Sequence, residues 1–360
     1  MIEHRTVEAI LELARWAPSG DNTQCWRFEI GAGGELTVHG FDTRTHCVYD
    51  LDGHPSQISL GALLETIAIA ASTRHLRTEV ARRTGMPDER PTFDIRFIAD
   101  PAVVADPLAE HIVTRSVQRR PMRMRAITAH EKAALASAVG PAWRVVWFES
   151  LAERWRLARL MFANAKLRLT MPEAYATHRE IIEWGARESA RKVPDQALGV
   201  DPMTLRLMRW IMADWRRVAF FNRWLAGTVA PRLQMDLLPG LACAAHFALV
   251  AAAPPRTTDD YVAGGRVVQR FWLAATRLGL AMQPELTPLI FARYVREGRR
   301  FSAVPGLHEQ AAVLAQRLEA VLGAGDAAAA LFIGRIGAGP PASARSTRRP
   351  LAELMINAGG

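Results

Sequence analysis

Residues 14–28 read Ala-Arg-Trp-Ala-Pro-Ser-Gly-Asp-Asn-Thr-Gln-Cys-Trp-Arg-Phe, and this stretch does most to predict the fold. A run with helical apolar spacing over residues 7–14 leads into it, and an aromatic strand pattern follows it. Pro18 cannot continue a helix, Gly20 permits backbone angles that other residues avoid, and the short polar side chains around them bond to local backbone or to a ligand. The stretch therefore predicts a helix, a polar turn and a strand, with the turn as a candidate binding segment.

The composition is that of a globular protein with a large core, since 49% of the 360 residues are hydrophobic and 22% are charged. No apolar run approaches the roughly 18 residues of a membrane span, and the first residues lack the pattern of a signal peptide. The three cysteines are too few and too scattered for a disulfide framework or a metal site. We expect a cytoplasmic protein with no membrane partner and no metal.

The formal charge of +9 comes from arginine, because only three of the 45 basic residues are lysine. The arginines are spread over many segments, and no recognisable nucleic-acid-binding module accompanies them. We therefore do not expect nucleic acid as a partner. Some of these arginines are better suited to bind anionic small molecules.

The predicted elements fall into two units. In residues 1–104 the order is helix, strand, strand, helix, strand, strand, with Ser56 as the expected N-cap of the second helix. In residues 105–360 a similar order is interrupted by a helical insertion at 151–235 and followed by a docking tail at 337–360. The predicted strands are 26–30, 35–41, 76–82, 93–98, 143–148, 246–251 and 331–336. This arrangement predicts an α+β fold.

The helical insertion holds five of the ten tryptophans. They are Trp155, Trp184, Trp210, Trp215 and Trp224. Such a concentration in a surface-forming segment indicates a lid or an interface with a partner. A helical subdomain that packs on itself accounts for them equally well.

Two arginine-rich segments are candidate anion sites. Arg115, Arg119 and Arg120 fall within six residues, and guanidinium groups so close together repel one another unless an anion or carboxylates neutralise them. A solvated basic face is the alternative. Beyond the last strand, the basic run 345–349 lies in a segment that becomes apolar again at 351–356, which favours docking over a disordered basic tail.

The turn closely resembles the Pro-Ser-x-x-Asn-x-Gln-Pro-Trp turn of the nitroreductase family of FMN enzymes, with Cys25 in place of the second proline. In that family the turn lies against the flavin ring. The resemblance implies four residues at the ring: Pro18, Ser19, Asn22 and Gln24. The polar members of this set also suit structural roles as caps or turn formers.

The arginine-rich segments resemble the phosphate clamp of the same family. The first is similar to its Arg-x-Ser/Thr-x-Arg pattern, with Val117 at the position of the hydroxyl and a serine one residue early. The tail is similar to its Arg-Ser-x-Arg pair. The resemblance implies a phosphate site formed by Arg115, Ser116, Arg119, Arg345, Ser346 and Arg348.

Residues 264–285 resemble the second long helix of the family and the backbone after it, which meets the N5 edge of the flavin. The resemblance places Gln283, Pro284 and Glu285 at that edge. Because proline has no N–H, the Glu285 amide is the expected donor. We expect His246 to be a core or surface histidine rather than a catalyst.

An ordinary member of the family carries the basic run and the turn in one subunit, and two subunits build each flavin site. This chain has the turn only in its first unit and the basic runs only in its second. It is therefore similar to the single-chain, Acg-type members. The resemblance implies a nitroreductase-like pseudo-dimer with one FMN at the seam, acting as a monomer or as a homodimer.

The resemblance implies an FMN-dependent oxidoreductase that passes hydride from NAD(P)H through flavin N5 to or from an unidentified small molecule, with no catalytic side chain. If the insertion covers the flavin, the alternative is a non-catalytic protein that binds or sequesters FMN. A third interpretation is a helical interaction module that has lost the flavin. Membership of a family does not fix the substrate.

Overall fold

The first helix of the computed structural model ends at Ala14, and Arg15 already lies beyond it, three residues before Pro18. The structure describes residues 2–225 and 227–356. Residue 1 of the first predicted unit, residue 226 of the predicted insertion and residues 357–360 of the predicted tail lie outside the described residues.

The first sheet and its helices are built from residues 4–99. The elements are α1 (His4–Ala14), β1 (Trp26–Ile30), β2 (Leu36–Gly40), α2 (His54–Ser72), β3 (Leu76–Arg82) and β4 (Thr92–Ala99). Their strands pair antiparallel in the order β1-β2-β4-β3. These elements confirm the predicted helices and strands. The predicted N-cap is wrong, because Gly53 precedes α2 and the Ser56 hydroxyl donates to the Asp50 carboxylate at 2.7 Å.

The second sheet lies in the remainder of the chain. The elements are, in order, α3 (Ala129–Val139), β5 (Trp143–Phe148), α4 (Leu151–Leu169), α5 (Pro172–Ile181), β6 (Ile182–Glu183), β7 (Glu188–Ser189), β8 (Val193–Pro194), α6 (Pro202–Ile211), α7 (Trp215–Trp224), α8 (Val229–Arg232), α9 (Leu238–Leu241), β9 (Ala245–Ala251), α10 (Thr258–Arg277), β10 (Leu280–Pro284), α11 (Thr287–Arg296), α12 (Leu307–Leu322), α13 (Ala324–Ala329), β11 (Ala330–Ala338), β12 (Arg345–Ser346) and α14 (Leu351–Leu354). Four of these strands form the antiparallel sheet β10-β11-β9-β5. The sequence did not predict β10.

The two sheets have the same strand order. Numbered along the chain within each sheet, the strands of both run 1-2-4-3. A long helix joins the second strand to the third in each case, α2 in the first sheet and α10 in the second. A helix also precedes each first strand, α1 in one case and α3 in the other. The fold is therefore a mixed α/β arrangement in which one supersecondary order occurs twice.

The predicted insertion stands between β5 and β9, where the first sheet has only the short turn at 31–35. It is mainly helical, as predicted, and its unpredicted strands form the two-residue parallel ladders β6–β8 and β7–β12. Leu157 and Leu160 of α4 are buried in the same core as α11 and α12. This part of the insertion is thus a component of the main core.

Helices α2 and α10 pack against each other between the sheets. Their backbones meet at two glycines, since a Cβ on Gly61 would lie 2.0 Å from the Val262 carbonyl oxygen and one on Gly265 would lie 2.0 Å from that of Ile58. Burial against both a sheet and the other helix explains why α2 is apolar on nearly all sides. Across residues 2–225 and 227–356, none of the helices combines the length and apolar character that a membrane crossing demands.

The described part of the tail returns to the first sheet. Leu351 and Leu354 are buried in the core of that sheet, and the Ile356 amide donates to the Phe28 carbonyl at 2.7 Å. The preceding strand β12 pairs with β7 of the insertion. The tail therefore links both sheets and the insertion.

We predict that Gly265→Ala lowers the free energy of unfolding by about 3 kcal/mol, because the added methyl group forces α2 and α10 apart. Urea denaturation measures this change. Gly325→Ala is the matched control, since Gly325 is helical in α13 with nothing within 4 Å of its Cβ position. The Gly325→Ala substitution should raise the free energy of unfolding slightly. Equal stabilities of wild type and Gly265→Ala would contradict the close helix contact.

Candidate functional site

The polar turn between α1 and β1 has an unusual backbone. Asp21, Asn22 and Gln24 have φ values of 52°, 61° and 49°, in the left-handed region that non-glycine residues seldom occupy. Three such residues within four positions store strain that other contacts must offset. Backbone strain of this kind is concentrated at binding and catalytic sites.

Contacts from distant segments hold the turn. The Asn22 Nδ2 group lies 3.2 Å from the carbonyl oxygens of both Lys192 and Thr347, and Gln24 Nε2 donates to the Ala190 carbonyl at 2.8 Å. The backbone N–H of Gln24 donates to the Ser19 hydroxyl at 2.9 Å. The insertion loop 189–192 and the tail thus cover the turn, and the polar side chains of the turn bind both.

Three of the predicted phosphate-clamp arginines meet at the end of α1. Arg115 donates to the Trp16 carbonyl at 3.0 Å, and Arg348 donates through Nε to the Ala17 carbonyl at 2.9 Å. The Arg345 guanidinium stacks 5.0 Å from the Trp16 ring. The Arg115 guanidinium also lies 4.5 Å from the centroid of the Trp272 ring of α10. These three side chains form what we call the arginine cluster.

The arginine cluster has no direct carboxylate partner in the described part of the chain, although the nearby Glu188 carboxylate favours the charged form of Arg345. Among the described residues, the hydrogen-bond acceptors of its guanidinium groups are backbone carbonyl oxygens, and none of the three forms an ion pair. Arg115 is only 4% exposed. Burial and the charges of Arg348 and Arg345 hold the pKa of Arg115 well below its usual range. Burial, with Arg345 and Arg15 nearby, lowers the pKa of Arg348 to about 9.

Two Nε groups of the arginine cluster are buried without a hydrogen-bond acceptor in the described part of the chain. They belong to Arg115 and Arg345. A buried donor without a partner costs about 1–3 kcal/mol, and more when the group is charged. Convergent guanidinium groups with free donors are suited to bind the oxygens of a phosphate or carboxylate. The chemistry of the cluster is therefore that of an anion site.

The other predicted clamp residues have different partners, although Ser346 adjoins the cluster, since Arg348 Nη1 donates to its carbonyl at 3.3 Å. Arg119 donates to the Ala197 carbonyl at 3.2 Å. Burial raises the pKa of Asp21 to about 6, although the charges of Arg119 and Arg168 oppose this rise. Ser346 donates to the Lys192 carbonyl at 3.0 Å. The Ser116 side chain makes no hydrogen bond within the described residues, and Pro18, which was predicted at the flavin ring, is half-buried.

A buried ionic triad crosses three neighbouring strands. Glu285, directly after β10, binds the His246 Nδ1 atom at 2.8 Å and Arg335 Nη1 at 2.7 Å. His246 Nε2 lies 2.8 Å from the Gly240 carbonyl oxygen, an acceptor, so both ring nitrogens face acceptors. Arg335 also donates to the Arg119 carbonyl at 2.9 Å. The triad joins α9 to the second sheet and to the arginine-rich segment.

The charge on His246 follows from its partners. Burial alone lowers the pKa of His246, but the Glu285 carboxylate outweighs this effect and raises it to about 10. Burial would raise the pKa of Glu285, and His246 and Arg335 together hold it below its usual value. His246 is thus a core residue, as the sequence indicated, and it is charged at neutral pH.

The predicted N5-edge donor is not free. The Glu285 amide donates to the Ile333 carbonyl at 2.8 Å, because β10 pairs with β11 up to Pro284. The expectation that this amide faces a flavin is therefore wrong for this structure. Gln283 lies in the same strand, donates to the Pro284 carbonyl, and has a buried Oε1 atom without a donor among the described residues.

Several residues that shape the site were missed by sequence reasoning. Trp16 and Trp272 stack on the arginine cluster, and Arg335 belongs to the ionic triad. The signal for Arg335 in the sequence was a lone charge inside an apolar strand.

The thiol of Cys25 is fully buried, and burial raises its pKa to about 12. Cys25 therefore behaves as a small hydrophobic residue.

Comparisons with known proteins give distant similarities. No family model matches the chain. The uncharacterized protein MT1398 of Mycobacterium tuberculosis (strain CDC 1551 / Oshkosh) is 25% identical over 294 residues, which cover 80% of this chain and 40% of that protein. The chain thus spans about two fifths of the length of this relative.

Two solved structures are also similar. A nitroreductase-like family protein from Bacillus cereus has 15% identity and a TM-score of 0.34, and the match covers 71% of this chain and 97% of that one. The FMN-dependent nitroreductase NfnB from Mycobacterium smegmatis, in complex with NADPH, has 18% identity and a TM-score of 0.37, with 68% and 96% covered. Both TM-scores are below 0.5.

We predict that stability falls between about pH 6.5 and pH 10 because of His246. Its folded-state pKa is raised, so its contribution is complete below the unfolded pKa and is lost as the pH rises through about 10. The slope from this group approaches about 1.4 kcal/mol per pH unit. Urea midpoints across this range measure the slope, and His246→Gln should flatten it. His130→Gln, at an exposed position, is the control, and equal slopes in the two variants would refute the assignment.

Proposed function

We propose that the chain binds FMN, with its phosphate at the arginine cluster. The observation that carries this proposal is the convergence of Arg115, Arg345 and Arg348 at the end of α1 without an ion-paired carboxylate among the described residues. The resemblance of these same positions to the phosphate clamp of the nitroreductase family is independent of that geometry. A dianionic phosphate supplies the charge and the acceptors that the cluster lacks.

One polar atom of the turn is suited to contact the flavin ring. Asn22 Oδ1 is buried without a donor among the described residues, and a flavin ring offers an N–H group to such an acceptor. The covering loop 189–192 and the tail would exclude water from this side. At the N5 edge the fit is incomplete, because the Glu285 amide is used within the second sheet.

We further propose that the chain is a fused pseudo-dimer of the Acg type with a single flavin at the seam. Two observations support this. The sheets share the strand order 1-2-4-3 with a long helix at the same place. The candidate site combines Trp16 and Asn22 from the first unit with Arg115 and Arg345 from the second.

The activity we propose is that of an oxidoreductase acting on a small molecule. Bound FMN would accept a hydride from NAD(P)H and pass the electrons to that molecule. The arginine cluster would bind the cofactor, Asn22 and Gln24 would orient it, and the cover would limit access of water. Asp21, with a pKa of about 6, can hold or release a proton on its carboxylate near neutral pH.

A second candidate function is favoured by the loop 189–192 and the tail, which together form a cover over the turn. The β7–β12 ladder and the bonds of Asn22 tie the insertion and the tail over the turn. A cover that stays closed would let the chain hold FMN without turnover. The alternative is therefore a flavin-binding or flavin-sequestering protein.

We predict that FMN binds at least 100-fold more tightly than riboflavin, since two or more charged hydrogen bonds to phosphate each contribute about 1.5–3 kcal/mol. In Arg345→Gln/Arg348→Gln the affinity for FMN should fall about 100-fold, while that for riboflavin changes little. Quenching of flavin fluorescence on titration measures both constants.

Arg277→Gln/Arg317→Gln is the control, because both arginines are exposed and neither belongs to the arginine cluster. Equal affinities of the wild type for FMN and riboflavin would refute the phosphate assignment. Anaerobic NADH and NADPH then separate the two functions. Rapid bleaching of the bound flavin supports the oxidoreductase, and a flavin that stays oxidised supports the closed, sequestering form.

A further inference from the structure

Two helices of the insertion expose large apolar side chains to solvent. The exposed fraction is between 47% and 79% for six of them: Met203, Leu207, Trp210, Phe220, Trp224 and Leu225. Those on α6 are spaced by four and three residues, and the two aromatic residues on α7 by four, so each set lies on one helix face. We call these six residues the apolar patch.

The two halves of the apolar patch are connected. Trp210 of α6 and Phe220 of α7 both contact the ring of Phe221, with centroid distances of 5.9 Å and 6.0 Å. The opposite face of α6 packs on a small separate core through Leu205 and Met208. The patch is therefore the outer face of a helix pair whose inner face is already used. Contiguous exposed apolar surface of this kind marks an interaction site.

The surroundings of the apolar patch are basic. Residues 201–225 contain five arginines: Arg206, Arg209, Arg216, Arg217 and Arg223. Among the described residues none of these forms an ion pair. Arg217 and Arg223 lie over the rings of Trp210 and Trp224, at 4.6 Å and 5.0 Å. The two acidic residues of the segment, Asp201 and Asp214, cap α6 and α7.

We propose that the apolar patch docks on the surface of an anionic phospholipid bilayer, with α6 and α7 lying in the plane of the interface. Aromatic and aliphatic side chains enter the boundary of the acyl chains, and the arginines around them bind headgroup phosphates. Each helix has ten residues, far fewer than the roughly 20 needed to cross a bilayer. The chain thus has a membrane partner that its sequence did not lead us to expect.

Charge complementarity selects this occupant. Pairing of the patch with a second copy of the chain would bring ten guanidinium groups together, with only four aspartates that already cap helices. Anionic headgroups neutralise the same arginines. The proposal is independent of FMN, so its failure leaves the flavin site untouched.

The test is flotation of the full chain with vesicles of phosphatidylglycerol and phosphatidylcholine, compared with vesicles of phosphatidylcholine alone. We expect binding to the anionic vesicles only, decreasing as NaCl is raised. Arg206→Gln/Arg216→Gln/Arg223→Gln should weaken the partition by about 100-fold. Phe220→Ser/Trp224→Ser should abolish it, with circular dichroism to confirm that this variant folds.

Matched controls remove the same number of groups elsewhere on the surface. Arg156→Gln/Arg277→Gln/Arg317→Gln removes three exposed arginines, and Val104→Ser/Met124→Ser removes two exposed apolar side chains. Both should bind vesicles as the wild type does. Absence of binding to anionic vesicles at low salt would overturn the proposal. The proposal would also be overturned if light scattering showed a wild-type dimer that Phe220→Ser/Trp224→Ser dissociates, and if the wild type did not bind vesicles.

Discussion

The burial of guanidinium groups that have no carboxylate partner among residues 2–225 and 227–356 is the constraint on which the candidate site depends. Arg115, Arg345 and Arg348 lose hydration and repel one another, and both effects disfavour their charged forms. The carbonyl groups of Trp16 and Ala17 and two tryptophan rings offset part of this cost. Two Nε groups remain without an acceptor in the described chain. An anion would resolve the remaining imbalance, and the proposed phosphate contact rests on this.

The glycine contact between α2 and α10 lies at the seam between the two units, as the arginine cluster does. Helix α1, which ends beside Trp16, packs on α2 of the first unit, and α10 of the second unit supplies Trp272. Gly61 and Gly265 let the two helices touch, and rings from both units contact the same cluster. The tail then crosses from the second sheet to the first and contributes the last arginines. Packing and the candidate site therefore depend on the same seam.

Local patterns predicted most helices and strands, because helical spacing and alternation depend on neighbouring residues. They missed β10, since a five-residue strand ending in proline is defined by its pairing with β11, about 50 residues away. The same limit explains the error about the Glu285 amide. The arginines predicted for a phosphate clamp were identified from the sequence, and the structure brings two of them, Arg115 and Arg345, to Trp16. The bonds of Asn22 to residues 189, 192 and 347 were not predictable, because no local pattern encodes such distant partners.

The most direct test of the central claim, that one chain builds one anion site for FMN from both units, is native mass spectrometry after reconstitution with FMN. The prediction is a single species in which each chain carries one FMN. That mass increment should be absent in Arg345→Gln/Arg348→Gln under the same conditions. Two FMN molecules per chain, or none in the wild type, would contradict the account.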